Sequence, residues 1–85
     1  MVESMILSAY FTESGIPKTA LVPTITVYNL TDGTTPVSVQ AMTEVGTGWY
    51  KYDYAAGDQT KSYAYLCDSV TLVGSERYAA GDWIS

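Results

Sequence analysis

The sequence has no histidine and a single cysteine, Cys67, in 85 residues. These shortages remove the usual zinc, haem and Cys/His catalytic sets, whose ligands and bases are imidazoles and thiolates. One thiol also forbids an intramolecular disulfide. Basic residues are scarce: four Lys and Arg stand against nine Asp and Glu, for a net charge of −5 and a pI near 4.2. That is the wrong sign for neutralising phosphates, which excludes nucleic acid as the main partner and removes polybasic attraction to anionic lipid. No stretch approaches the ~20 apolar residues of a membrane-spanning helix, so no membrane partner is expected. Met1-Val2-Glu3-Ser4-Met5 places an acid where a secretory leader carries Lys or Arg, and Ser8 interrupts the apolar stretch that follows. The sequence therefore predicts a chain made and assembled inside a cell without classical export.

What is present is globular. Apolar residues make up 47% and charged ones 15%, less charge than the ~25% usual for a soluble domain, so disorder is not expected. Val, Ile, Leu and Phe together number 18, while tyrosine alone supplies 8, which predicts a small core built partly of tyrosine. A chain this short makes one domain, residues 1–85, and hides only about 60–65% of its extended surface on folding, so it gains stability by associating.

Short β-rich runs separated by turn residues dominate, and no convincing helix emerges. Met5–Thr12 alternates Leu7, Ala9 and Phe11 against Ile6, Ser8 and Tyr10. Val22–Leu30 sets Ile25 and Val27 against Thr24, Thr26 and Tyr28, with Pro23 at its start. Asp32-Gly33 reads as a type I′ hairpin pair, followed by Val37–Met42 with Val37, Val39 and Ala41 inward. In Trp49–Tyr54 the period of two puts Tyr50, Tyr52 and Tyr54 on one face and Trp49, Lys51 and Asp53 on the other. Ser62–Asp68 is apolar on both faces, as expected of a central strand covered on both sides or used in an interface. Val70–Val73 is predicted to pair with it, and Glu76–Ala79 to form a seventh strand, leaving Trp83 and Ile84 in an apolar tail. Tyr54-Ala55-Ala56-Gly57-Asp58 recurs as Tyr78-Ala79-Ala80-Gly81-Asp82, read as a shared strand-to-turn ending.

None of the chemistry-bearing residues forms an active-site pattern. Asp53, Asp58, Asp68 and Asp82 lack the alternate-position spacing of a calcium loop, and a paired-carboxylate mechanism needs a cleft that a domain of this size scarcely offers. Cys67 has no histidine to take its proton and reads as a core thiol. Catalytic residues, metals and cofactors are all expected to be absent. Asn29-Leu30-Thr31 matches a glycosylation acceptor but reads as a strand end entering its turn. Lys18, Lys51 and Lys61 are the amines able to form an isopeptide with the single Asn29, as in some bacterial surface modules. The eight tyrosines and two tryptophans suit a tyrosine-filled core, a protein interface or a sugar-stacking platform, with Trp49, Tyr28 and Trp83 the candidates for an exposed platform.

Gly48-Trp49-Tyr50-Lys51-Tyr52-Asp53 resembles the Gly-x-Tyr opening of a strand in immunoglobulin-like and carboxypeptidase-regulatory-like modules of bacterial and phage proteins. With Ile25-Thr26-Val27-Tyr28, Ala41-Met42-Thr43-Glu44-Val45-Gly46 and Ser75-Glu76-Arg77-Tyr78, residues 22–80 resemble small β-sandwich proteins of phage and environmental-virus gene sets. The resemblance implies a virion component (decoration, fibre or tail module) synthesised in the host cytoplasm, with no catalytic residues. The expected fold is all-β, a single immunoglobulin-like Greek-key sandwich of about seven short strands. Nineteen Thr and Ser and the uncharged runs Met5–Phe11 and Val70–Val73 point to strand edges that pair across a subunit boundary. Partners are then other copies of the chain, other virion proteins and, as an alternative, surface glycans or a receptor. Residues 1–12 and 80–85 are the expected inter-subunit arms, and the interface candidates are Ile6, Leu7, Phe11, Tyr28, Trp49, Val70, Leu72, Trp83 and Ile84.

Overall fold

Period-two alternation becomes strand where a second layer covers the apolar face, and this occurs for most of the chain. The computed structural model describes residues 5–84. Its strands are β1 (Met5–Tyr10), β2 (Thr12–Glu13), β3 (Ile16–Pro17), β4 (Thr24–Asn29), β5 (Thr34–Ala41), β6 (Thr43–Gly46), β7 (Trp49–Tyr54), β8 (Tyr63–Asp68) and β9 (Tyr78–Trp83). Among the described residues one 3-10 turn, Gly74–Arg77, precedes β9. All pairings are antiparallel: a three-stranded sheet ordered β1-β7-β6, a four-stranded sheet ordered β5-β4-β8-β9, and the small hairpin β2-β3. The fold is therefore nearly all β, in three sheets.

The two larger sheets share one core. Leu7, Ala9 and Phe11, with Tyr50 and Tyr54 of β7, meet Ile25 and Val27 of β4, Val37 of β5, and Tyr63 and Cys67 of β8. Each fully buried aliphatic or aromatic side chain contributes about 1.5–3 kcal/mol. Tyrosine fills the middle because its ring packs while its hydroxyl finds a partner. Tyr54 and Tyr63 meet edge-on between the sheets at 5.5 Å, and Phe11 meets Tyr50 at 5.7 Å. The Tyr50 hydroxyl donates to the Lys18 carbonyl at 2.9 Å and accepts from the Leu21 N–H at 3.1 Å, which ties the β3–β4 connection to the core. The Tyr63 hydroxyl accepts the Asp58 N–H at 3.0 Å.

The two sides of this arrangement close differently. On one side the chain itself crosses between sheets: β5 runs into β6 through buried Met42, whose N–H donates to the Pro23 carbonyl at 3.0 Å. On the other side β1 and β9, the last strands of their sheets, lie beside each other without pairing among the described residues. There Tyr65 of β8 passes its ring over Gly81 of β9 and donates from its hydroxyl to the Ser8 carbonyl of β1 at 2.9 Å. A Cβ at Gly81 would sit 2.5 Å from that hydroxyl oxygen, so glycine is what leaves the path open.

Several expectations are corrected. Val70–Val73 is not a strand: Ser69–Leu72 closes a turn through the Leu72 N–H to the Ser69 carbonyl at 3.0 Å, because the chain must reverse between β8 and β9. The last strand is Tyr78–Trp83 rather than Glu76–Ala79, so Trp83 is half-buried against the core and not in a tail. The repeated Tyr-Ala-Ala-Gly-Asp motif is not one structure twice, since the first copy leaves β7 into a turn while the second runs inside β9. Val39 is exposed with φ 50°, because two register shifts insert extra residues into β5 and turn its side chain outward. At the β4–β5 hairpin only Gly33 takes positive φ, and its N–H returns to the Asn29 carbonyl at 2.8 Å, a four-residue loop instead of the two-residue turn. Strand β6 and the β2–β3 hairpin were not expected. Ser62–Asp68 does lie centrally, between β4 and β9, but Leu66 stays exposed on its outer face.

Candidate interaction surface

Strand β1 supplies both halves of the candidate surface, its outer face and its free edge. Its odd residues point into the core, so Ile6, Ser8 and Tyr10 point outward on the three-stranded sheet. The register sets Tyr10 opposite Trp49, Ser8 opposite Lys51 and Ile6 opposite Asp53. Tyr10 and Trp49 stack with ring centroids 4.8 Å apart and a 38° tilt, while 42% and 47% of their surfaces remain in solvent. Cross-strand aromatic pairs of this kind stabilise a sheet, yet an all-solvent face leaves much of both rings unused. Lys51, next to Trp49 on the same face, pairs with Asp53 at 3.5 Å, so its charge is directed toward the end of the face away from the ring pair.

The loop beneath the rings is built for close approach. Gly46, Thr47 and Gly48 all take positive φ, and a Cβ at Gly48 would stand 2.9 Å from the Phe11 carbonyl oxygen and 3.1 Å from both the Tyr10 ring and Pro17. Glycine there lets the β2–β3 hairpin and Tyr10 close on the start of β7.

The edge follows from hydrogen-bond parity. The Phe11 N–H donates to the Gly48 carbonyl at 2.9 Å, so the odd residues of β1 bond to β7 and the N–H and C=O groups of Ile6, Ser8 and Tyr10 point away from it. Among the described residues β1 pairs with β7 alone. One of those outward groups, the Ser8 carbonyl, is taken by Tyr65. No charged side chain lies on β1, and Ile6 is 58% exposed. Two of the other edges of the larger sheets are blunted: β5 carries Pro36 and two register shifts, and β6 is four residues long with its own shift and Glu44, the devices that discourage pairing with another chain. The remaining edge, β9, carries Gly81 and Asp82 and lies beside β1.

Of the residues singled out from sequence, Ile6 and Trp49 come together with Tyr10 on this surface. Leu7, Phe11 and Leu72 are instead buried in the chain's own core, since their parity points them inward or under the Ser69 turn, and they are not offered to a partner. Tyr28 lies on the outer face of the four-stranded sheet, opposite Ala64, and Trp83 faces the core, so Tyr28, Trp49 and Trp83 do not form one platform. Val70 and Ile84 are exposed in the loop and at the chain end. Residues 5–12 are part of the sheet and core rather than a free arm, and 80–83 belong to β9; residues 1–4 and 85 of the proposed arms lie outside the described residues. Tyr10 was missed, because only the cross-strand register shows that it meets Trp49.

The remaining chemistry-bearing groups are engaged locally. Burial pushes the Cys67 thiol up to about 12, so it stays protonated at neutral pH. Two guanidinium hydrogen bonds from Arg77, at 2.6 and 2.9 Å, hold the Asp68 carboxyl below its usual range. Hydrogen bonds from the Thr60 hydroxyl and N–H do the same for Asp58. No helix among the described residues is long and apolar enough to cross a membrane. Comparison of the chain with protein families, curated proteins and solved structures finds no match.

Proposed function

We propose that this chain is a non-enzymatic assembly module that self-associates through the free edge of β1 and the Tyr10–Trp49 face beside it. In this reading the two larger sheets are an immunoglobulin-like Greek-key sandwich, and the module is a virion component, the setting its sequence resemblance implies. The observation that carries the proposal is the contrast among strand edges: β1 is uncharged, regular and outward-bonding, while β5 and β6 are blunted and β9 carries Asp82. An added strand on β1 gains main-chain hydrogen bonds for affinity and side-chain contacts from Ile6 and Tyr10 for selectivity.

Deleting residues 1–12 does not test this, because it removes Met5, Leu7, Ala9 and Phe11 from the core and unfolds the chain. Ile6→Lys does: an exposed substitution changes stability by no more than about 0.5 kcal/mol and places a charge on the edge. Light scattering after size exclusion should show an oligomer or filament for the natural chain and a monomer for Ile6→Lys. A natural chain that stays monomeric at high concentration contradicts the reading.

The exposed Tyr10–Trp49 pair favours a second reading, a glycan- or receptor-binding face. Trp49→Ala then abolishes retention on a glycan array while leaving the mass in solution unchanged; under the assembly reading the same variant weakens association instead.

A further inference from the structure

Three lysines compete in the sequence for one asparagine, and the fold selects among them. Lys18 pairs with Glu13 at 3.3 Å and Lys51 with Asp53. Lys61 alone shares a partner with Asn29: its Nζ lies 2.7 Å from Asp32 Oδ2, and the same oxygen accepts Asn29 Nδ2 at 3.3 Å. Asn29 is 7% exposed at the end of β4. Its Oδ1 accepts the Asp32 backbone N–H at 2.9 Å. Backbone contacts hold the two segments together: the Leu30 N–H donates to the Ser62 carbonyl at 2.8 Å, and the Ser62 N–H to Thr31 Oγ1 at 3.0 Å.

We propose that Lys61 and Asn29 form an intramolecular isopeptide cross-link, with Asp32 as the proton relay. Every role the aminolysis needs has an atom in place. Lys61 Nζ is the amine. The Asp32 N–H sits on Oδ1, where negative charge develops as the amide carbon is attacked. The Asp32 carboxylate touches both the amine that must lose protons and the nitrogen that must gain them. Asp32 takes a proton from the ammonium, Nζ bonds to Asn29 Cγ, and the Cγ–Nδ2 bond breaks. The two protons that Nζ sheds leave with Nδ2 as ammonium, so atoms and charge balance with no oxidant, metal or cofactor. The ion pair keeps the proton on Lys61 at rest, which makes the step slow; one turnover in the life of each molecule is enough, and the shared Asp32 oxygen keeps the amine beside the amide. The product staples the β4–β5 hairpin to the start of β8.

The test is the intact mass, under denaturing conditions, of the purified and aged full chain. The expected mass is lower than the sequence mass by one ammonia, and tryptic digestion yields a branched peptide joining Asn29 to Lys61. Lys61→Arg keeps a cation beside Asp32, and Asn29→Ala and Asp32→Asn each remove one further role; all three should return the full mass. An unmodified mass for the natural chain overturns the proposal. So does an ammonia loss that persists in Lys61→Arg, which would assign the loss to Asn29 closing on its own backbone.

Discussion

The two sides of the molecule are closed by different means. At the corner, β5 and β6 are consecutive in the chain, and buried Met42 turns the backbone from one sheet into the other; separation there would require tearing the core. At the seam, β1 and β9 are far apart in sequence and are joined by one phenol reaching over one glycine. The corner also carries the bulged, proline-bearing edge, and the seam carries the regular uncharged one. The lesson is that the side closed by the continuous chain also carries blunted edges, while the side closed by a hydrogen bond keeps a regular, uncharged one.

Substitutions on the two sides should separate in size and character. Met42→Ala is expected to cost the most, about 3 kcal/mol, from lost burial plus the cavity it leaves, and to lower protection from hydrogen exchange throughout both sheets. Gly81→Val should cost about 2 kcal/mol by displacing the Tyr65 ring, and Tyr65→Phe about 1 kcal/mol by removing the bond to Ser8. Both seam variants should speed exchange in β1 while β4 keeps its protection; a uniform loss would erase the distinction between the sides. Val39→Asn works in the other direction. A β-branched residue at positive φ is strained, and asparagine tolerates that region, so the denaturant midpoint should rise by the equivalent of about 1 kcal/mol with the Val39 N–H to Thr26 Oγ1 bond kept.

The smallest effect concerns the start of β9, where Arg77 holds Asp68. A carboxyl depressed on folding contributes stability that is full above its unfolded pKa of about 3.9 and is lost as pH falls through the lower folded value. Asp68→Asn should therefore lower the urea midpoint at pH 7, and the difference from the natural chain should shrink as pH falls below about 3.9 and through the lower folded value. Partial exposure of the pair keeps the difference small.

How much of this was legible in the sequence varies with the range of the interaction. Alternation in Met5–Thr12, Val22–Leu30 and Trp49–Tyr54 grouped correctly the residues that share a face, since parity along one strand is local. The uncharged character of β1 was equally visible. Val70–Val73 misled because four apolar residues read alike in a strand or a turn, and only Leu72 is buried. Long-range partners were not legible: Tyr10 beside Trp49, Tyr65 over Gly81, and Lys61 beside Asn29 all depend on register and loop path. Alternation groups Leu7 and Phe11 with Ala9 on one face without saying which face is inward, and the structure buries that face because the core of a chain this small needs it.

The central claim, that β1 is the edge through which copies associate, is tested most directly by hydrogen exchange of its amides as protein concentration is raised. The N–H groups of Ile6, Ser8 and Tyr10 should pass from fast exchange in dilute protein to slow exchange in concentrated protein, while those of Leu7 and Ala9, already bonded to β7, stay unchanged. Equal rates for Ile6, Ser8 and Tyr10 at every concentration, or new protection arising along β5 instead, would contradict it.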